Sequence, residues 1–288
     1  MSRYSKDWFL VWSLRICAFV AGAITLLVAV FIVGESLPAL RHVGVSRFFT
    51  DPSWHPDEFA AQGTFNLVPM LAGTLIIMTG SVLLATPFGI AAAVFCHYYA
   101  PPFIARIYRR ILELLAGIPS VVFGFWGLVV LVPIINQIQP PGQSVLAATL
   151  ILALMILPTI ALMADAALAN VPVDFQRAAA SLGLTHWATI RGVILPAARS
   201  GLFTGVILQS GRAIGETLAV LMVAGNIPKI PSSFFEPART LTANIALEMA
   251  YALGDHRSAL FVTGFLLLLI IIALVAAAEW ISKGRIYD

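Results

Sequence analysis

Residues 175–224 read FQRAAASLGLTHWATIRGVILPAARSGLFTGVILQSGRAIGETLAVLMVA, and the fold turns on how that stretch is understood. Its first part, Phe175 to Ser200, is polar and broken by turn residues. Its second part, Leu202 to Ala224, is an apolar run of bilayer-crossing length with Arg212 and Glu216 near its middle. An ionised side chain at that depth is costly, so both must face protein or water and find partners. The polar part has the character of a docking surface on the inner face of a membrane. The stretch therefore predicts a partner site and a solute site joined by one helix.

Outward from that stretch the chain keeps the same character. Of its 288 residues 60% are hydrophobic and 11% charged, and the mean hydropathy is +0.93, which excludes a soluble globular domain. The apolar residues fall into separate long runs, and the short alternating segments of a closed barrel are absent. The class is all-α, a polytopic transmembrane helical bundle. Six spans are expected, at about residues 9–33, 67–96, 111–135, 145–164, 202–224 and 258–281. Outer loops take 34–65 and 226–257, a short basic loop holds Arg106, Arg109 and Arg110, and an inner segment occupies 171–200. The first run is too long for a signal-peptide core and lacks a small-residue cleavage site, so it is read as a retained helix.

Basic residues set the orientation. Arg3, Lys6, Arg106, Arg109, Arg110, Arg177, Arg191, Arg199, Lys283 and Arg285 fall on one side. The other side holds Arg41, Arg47, Lys229, Arg239 and Arg257, outnumbered there by acids. Both termini are therefore expected in the cytoplasm. The net charge of +3 is modest and gives no ground for a nucleic-acid partner. Cys17 and Cys96 form no framework, the five histidines are scattered, and no metal site or cofactor is expected. No GxxxxGK[ST] loop is present, so this chain does not cradle ATP by that means. Pro69, Gly73, Gly80, Pro87 and Gly89 in the second span read equally as packing kinks or hinges. Gly117, Gly124 and Gly127 allow close helix approach.

In the inner segment, Pro172 presets a helix start and Asp174 suits its first turn. Phe175, Ala178, Ala179 and Leu182 fall on roughly one face, and Gly183 can take the left-handed conformation that ends a helix. Thr185 can cap a second short helix, with Trp187, Ile190 and Ile194 on one face and Pro196 as its stop. On these residues alone a docking surface for another protein and an amphipathic pair lying on lipid remain equally open. In the charged span, Arg212 and Glu216 are four apart, so on a helix they share a face and can pair. Gln209, Ser210 and Thr217 add neutral polar groups. An arginine fork suits a tetrahedral oxyanion. Glu216 can neutralise Arg212, or accept the O–H that hydrogen phosphate carries and sulfate lacks. The alternative is an ion pair that only fixes helix packing.

Two motifs carry a family resemblance. Ala178-Ala179, Gly183 and Ile194-Leu195-Pro196 resemble the cytoplasmic EAA loop of ABC-importer permeases, with Arg177 standing where that loop usually has glutamate. GRAIGET, residues 211–217, resembles the phosphate-specific (Pst) importer permeases. LAGIPSVVFGFWGL, residues 115–128, looks like the third-span motif of their PstC-type subunit. Sulfate and molybdate permeases have a related Arg-x-x-Gly-Glu stretch, typically with phenylalanine where Thr217 stands here. The resemblance spans the whole chain. It implies one transmembrane domain over residues 1–288, with the type I ABC importer (MetI-like) fold, in the cytoplasmic membrane.

The function so implied is a non-enzymatic permease subunit that moves inorganic phosphate, with ATP hydrolysis carried by a separate subunit. The implied partners are a homologous PstA-type permease in a heterodimer, two PstB-type ATPase subunits and a PstS-type extracytoplasmic phosphate-binding protein. The anion pathway is expected at Arg212, Glu216 and Thr217. ATPase coupling is expected at Arg177, Ala178, Ala179, Gly183, Leu195 and Pro196. The rival readings are a sulfate or molybdate permease, an ion-coupled transporter or channel, and a regulatory membrane subunit. The EAA-like loop argues against an ion-coupled protein, which has no ATPase to seat.

Overall fold

A computed structural model describes residues 2–283 of the chain; Arg285 lies outside the described residues, as do the side chains of Arg3, Lys6 and Lys283. Helix α1, Ser2–Ala39, leads through a π-helical turn at Leu40–Gly44 into a short helix α2, Arg47–Thr50. A small antiparallel hairpin follows, β1 (Trp54–His55) and β2 (Thr64–Phe65), with Trp54 opposite Phe65. The next helices are α3 (Val68–Val94), α4 (Pro102–Ala116), α5 (Ser120–Trp126) and α6 (Val132–Ile138). Then come α7 (Val145–Ala169), α8 (Val173–Ser181), α9 (His186–Thr189), α10 (Leu195–Gly215) and α11 (Leu218–Val223). Helices α12 (Leu241–Glu248) and α13 (Gly254–Lys283) close the chain.

Six helical stretches are long and apolar enough to cross a membrane: Leu10–Gly44, Val68–Tyr99, Ser120–Ile138, Val145–Ala169, His186–Gly215 and Gly254–Trp280. The fourth is the most buried and forms the centre, packed along α3. Small residues permit that approach. A Cβ on Gly80 would lie 3.0 Å from the Thr149 methyl, and one on Gly89 would lie 2.7 Å from Ile160 Cγ2. Ser81 Oγ donates to the Thr149 carbonyl across the same contact at 3.0 Å. By contrast, the most apolar window of the first span buries none of its residues within this chain, and the helix leans on α13.

Three expectations need correction. The basic loop at Arg106–Arg110 and the start of the third span are one helix, α4, and the span begins only at Ser120. The reason is legible in the spacing. Ala105 and Leu112 are buried, Arg106, Arg110 and Glu113 take one exposed arc, and Phe103, Ile107 and Leu114 take another. That period forms an amphipathic helix at the interface, and extended backbone at Pro119 (ψ 139°) separates it from the span.

The second correction concerns Pro196, which does not end the helix begun at His186. The π-helical turn Ile190–Ile194 precedes it, and helix continues to Gly215 with the proline in the first turn of α10. Carbonyls in that turn are already out of the i→i−4 pattern, so the ring and its missing N–H are accommodated.

The third is the run 202–224, which is two helices. Helix α10 stops at Gly215, Glu216 is extended (φ −69°, ψ 125°), and α11 resumes at Leu218. Close contacts hold α11 in place: a Cβ on Gly124 would lie 2.8 Å from Ala219 Cα, and one on Gly127 would lie 3.0 Å from Val223 Cγ1. Gly117 makes no such approach; it follows α4 and meets only that helix's own carbonyls. Part of each outer loop is also ordered as helix, including α12, whose first turn Thr240 caps by accepting from the Ala243 N–H at 3.2 Å.

Candidate functional site

The break between α10 and α11 places the charged residues apart. Arg212 sits in the last turn of α10, where the helix dipole favours a cation. Its side chain is exposed, and among the described residues it has no hydrogen-bond or ion-pair partner. Glu216 is half-buried and turned to its own C-terminal side. Its Oε1 accepts from the Ala219 N–H at 3.1 Å, capping the first turn of α11, while its backbone carbonyl accepts from Thr242 Oγ1 at 3.0 Å. The expected Arg212–Glu216 pair on one helix face is therefore not formed, because the backbone leaves the helix between them.

The neutral polar groups divide in the same way. Thr217 Oγ1 donates to the Gly215 carbonyl at 3.3 Å, bridging the break. Ser210 Oγ returns to the Val206 carbonyl of its own helix. Gln209 is buried and turned toward the fourth span, where its Oε1 accepts from Thr159 Oγ1 at 2.8 Å. Gly211 and Gly215 flank Arg212 and have open space where a Cβ would stand. What remains at the break is an unpaired guanidinium beside bare backbone, with the far carboxylate oxygen of Glu216 free of protein donors among the described residues. Such a fork can offer two parallel N–H donors to an oxyanion.

A second charged centre was not visible in the sequence. Arg239 Nε donates to the Asn226 carbonyl at 2.8 Å, and its NH1 reaches Asn244 Oδ1 at 3.0 Å and Glu248 Oε1 at 2.5 Å. The other Glu248 oxygen accepts from Trp54 Nε1 and stands 2.9 Å from His256 Nε2. Burial pushes the Glu248 carboxyl upward, but the hydrogen bonds from His256, Trp54 and Arg239 outweigh it and hold the group below the usual carboxylate range. This centre joins the hairpin, the loop after α11, α12 and the first turn of α13, so that of its members His256 alone falls within a span, at the very start of the sixth. Arg239, Glu248 and His256 follow one another at intervals of nine and eight residues with no local motif, and Trp54 joins them from 194 residues before Glu248.

On the inner side, α8 starts after Pro172 with Asp174 in its first turn, and it ends in a tight corner. The Gly183 N–H donates to the Ala180 carbonyl at 3.0 Å and the Leu184 N–H to the Ala179 carbonyl at 3.1 Å, with Gly183 at φ +69°. That is the Schellman closure, which favours glycine at this place. Thr185 accepts from the Ala188 N–H at 3.3 Å and starts α9 as expected. Ile190 and Ile194 are buried against Ala93, Leu168 and Ala198, and Ala179 is buried as well. Phe175, Ala178, Leu182, Trp187 and Pro196 stay exposed, Leu195 is half-buried, and Arg177 makes a loose contact with Asp174 at 3.3 Å. The inner segment is therefore anchored by one side and shows apolar side chains on the other.

Comparison with known proteins agrees with this architecture. The family described as "Binding-protein-dependent transport system inner membrane component" matches residues 85–287. A relative from Bacillus subtilis, "Probable ABC transporter permease protein YqgH", is 37% identical over 275 residues, covering 93% of this chain and 88% of that one. The "Phosphate transport system permease protein PstC" of Mesorhizobium japonicum is 36% identical, covering 88% and 83%. The protein of the same name from Xylella fastidiosa is 33% identical, covering 84% and 79%. Among solved structures, a bacterial ABC transporter involved in alginate import aligns over 98% of both chains, with a TM-score of 0.67 at 15% identity. The inward-facing MetNI methionine ABC transporter aligns over 76% of this chain and 95% of that one, with a TM-score of 0.62 at 21% identity. At those identities the structures speak to the fold alone.

Proposed function

From the premise that this chain belongs to the family of binding-protein-dependent transport inner membrane components, we propose that it is the permease subunit of an ATP-driven importer of inorganic phosphate. The fold is that of type I ABC importer permeases, and the family works with ATPase and binding-protein partners in the inner membrane. Relatives named as phosphate permeases, 31–36% identical over most of the chain, support phosphate as the cargo. The observation that carries the reading is the unpaired Arg212 fork, flanked by Gly211 and Gly215 at the helix break.

In this reading Arg212 receives the anion with two parallel donors, which a tetrahedral oxyanion matches. Glu216 holds the break open by capping α11, and its free oxygen accepts the hydroxyl of hydrogen phosphate. Thr217 fixes the turn between them. The second half of the pathway comes from a homologous PstA-type permease, and a PstS-type protein delivers the anion from outside. PstB-type ATPases seat on the inner segment around Arg177, Ala178, Ala179, Gly183, Leu195 and Pro196. Their closure on ATP draws the inner segments together, and helix α10 carries that movement straight to Arg212, since helix runs from His186 to Gly215.

The test is uptake by the complete complex in proteoliposomes with ATP supplied to the ATPase side. Labelled phosphate should accumulate and an excess of sulfate or molybdate should not compete. Uptake of sulfate in its place would move the protein to the sulfate class. Uptake that continues with a hydrolysis-dead ATPase would refute ATP-driven import.

A further inference from the structure

Helix α4 divides into three arcs. Ala105 and Leu112 are buried against the rest of the chain, and Arg109 reaches Asp165 of the fourth span, with Nε 2.9 Å from Oδ2. Phe103, Ile107, Ile111 and Leu114 form an exposed apolar arc. Arg106, Arg110 and Glu113 form an exposed polar arc next to it. A helix with such arcs lies in the plane of the membrane interface, apolar arc in the acyl region and polar arc at headgroup depth. The basic residues place it on the cytoplasmic side, where anionic lipid makes the leaflet surface negative.

Beside the polar arc is a cavity of about 480 Å³, lined by His97, Arg106, Arg109, Arg110 and Glu113 together with Cys96 and its neighbours. Arg109 is neutralised by Asp165, whose Oδ1 also stands 3.3 Å from His97 Nδ1. Arg106 and Arg110 have no carboxylate within ion-pair distance among the described residues, and Glu113 makes no ion pair there either. Setting Arg106, Arg109 and Arg110 against Glu113 and Asp165 leaves the site one positive charge. We propose that this cavity binds the headgroup phosphate of an anionic phospholipid of the inner leaflet, held by Arg106 and Arg110. A phosphodiester carries one negative charge, which matches the surplus, and its acyl chains have the apolar arc of the same helix to lie along. This goes beyond the transport reading and needs only the cytoplasmic orientation of α4.

The experiment uses the complete complex in nanodiscs of phosphatidylcholine with a minor fraction of phosphatidylglycerol, and native mass spectrometry counts the lipid retained. Wild type should keep phosphatidylglycerol in preference to phosphatidylcholine. Arg106→Gln/Arg110→Gln should lower that preference about 25-fold, from about fivefold per arginine at an anionic surface. Arg106→Lys/Arg110→Lys keeps both charges and should retain the lipid, and ATPase recovery confirms that each variant is assembled. In a second arm, inorganic phosphate is added to discs of phosphatidylcholine alone; it should not occupy the site. Equal retention by wild type and the glutamine variant would overturn the proposal. So would occupation by free phosphate in the second arm, or a cross-link from Arg110→Cys to the partner permease in place of lipid.

Discussion

Arg212 and Arg239 stand on either side of α11 and the loop that follows it, and the chain treats them in opposite ways. Arg239 is held by a backbone carbonyl, an asparagine and Glu248, and Glu248 is itself closed by Trp54 and His256. Both Glu248 oxygens and the Nε and NH1 of Arg239 are spent on the protein, so the centre fixes geometry; what stays unpaired there, Asn226 Oδ1 and Asn244 Nδ2, is neutral and buried. Arg212 has an exposed side chain and no partner among the described residues. An unpaired cation near the end of a membrane helix is costly unless something outside the chain completes it. An anion pathway and a structural ion pair are alternative readings of Arg212 and Glu216 in the sequence; the fold leaves that pair unformed and places a buried ion pair at Arg239 and Glu248 instead.

The largest effect is expected at the Glu248 centre. Glu248→Ala leaves Arg239 buried without its carboxylate and removes the acceptor of Trp54 and His256. It should cost roughly 3–5 kcal/mol and lower the thermal midpoint and the amount of complex recovered. A stable Glu248→Ala complex would mean that the outer centre is not a frame. Next is the packing that holds α11 against the third span. Gly124→Val has no room beside Ala219 and should cost about 1–3 kcal/mol, with uptake lost in proportion as the break is displaced.

On the inner side the expected effect is smaller and of another kind. Nothing lies within 4 Å of where a Gly183 Cβ would be, so Gly183→Val is strained by its φ of +69° alone, at about 1–2 kcal/mol. Co-purified ATPase should fall while the thermal midpoint moves little; full ATPase recovery with normal uptake would remove the docking role. The smallest effect is in pH. The folded Glu248 carboxyl lies below its unfolded value of about 4.3, so its stabilisation is complete above that value and is lost as pH falls through the lower folded one. Wild type should therefore lose thermal stability faster than Glu248→Gln over that acid window, and parallel curves would contradict the hydrogen-bonded carboxylate.

Much of this was legible in the residues. Hydropathy runs located the first, second, fourth and sixth spans because burial in lipid demands them, and Pro172, Gly183 and Thr185 announced the inner corner through backbone preferences that act locally. The break at Glu216 was hidden for a physical reason. A four-residue spacing signals a shared face only while the backbone stays helical, and here Thr242, 26 residues on, takes the Glu216 carbonyl out of the helix pattern. Helix α4 reads in the sequence as a loop running into a span, because three arginines interrupt its apolar residues. Pro196 was misread as a stop because a π-helical turn cannot be seen in spacing. The centre at Glu248 depends on Trp54, 194 residues away, and no local pattern reports such a contact.

The central claim is that Arg212 is open because the transported anion completes it. It is tested most directly by phosphate uptake per folded complex in Arg212→Gln, with the thermal midpoint and ATPase recovery measured on the same preparation. Stability and assembly should match wild type, with uptake reduced about 10- to 100-fold, the worth of a charge-assisted two-donor contact. Uptake per folded complex equal to wild type would contradict it, as would a loss explained entirely by less folded protein.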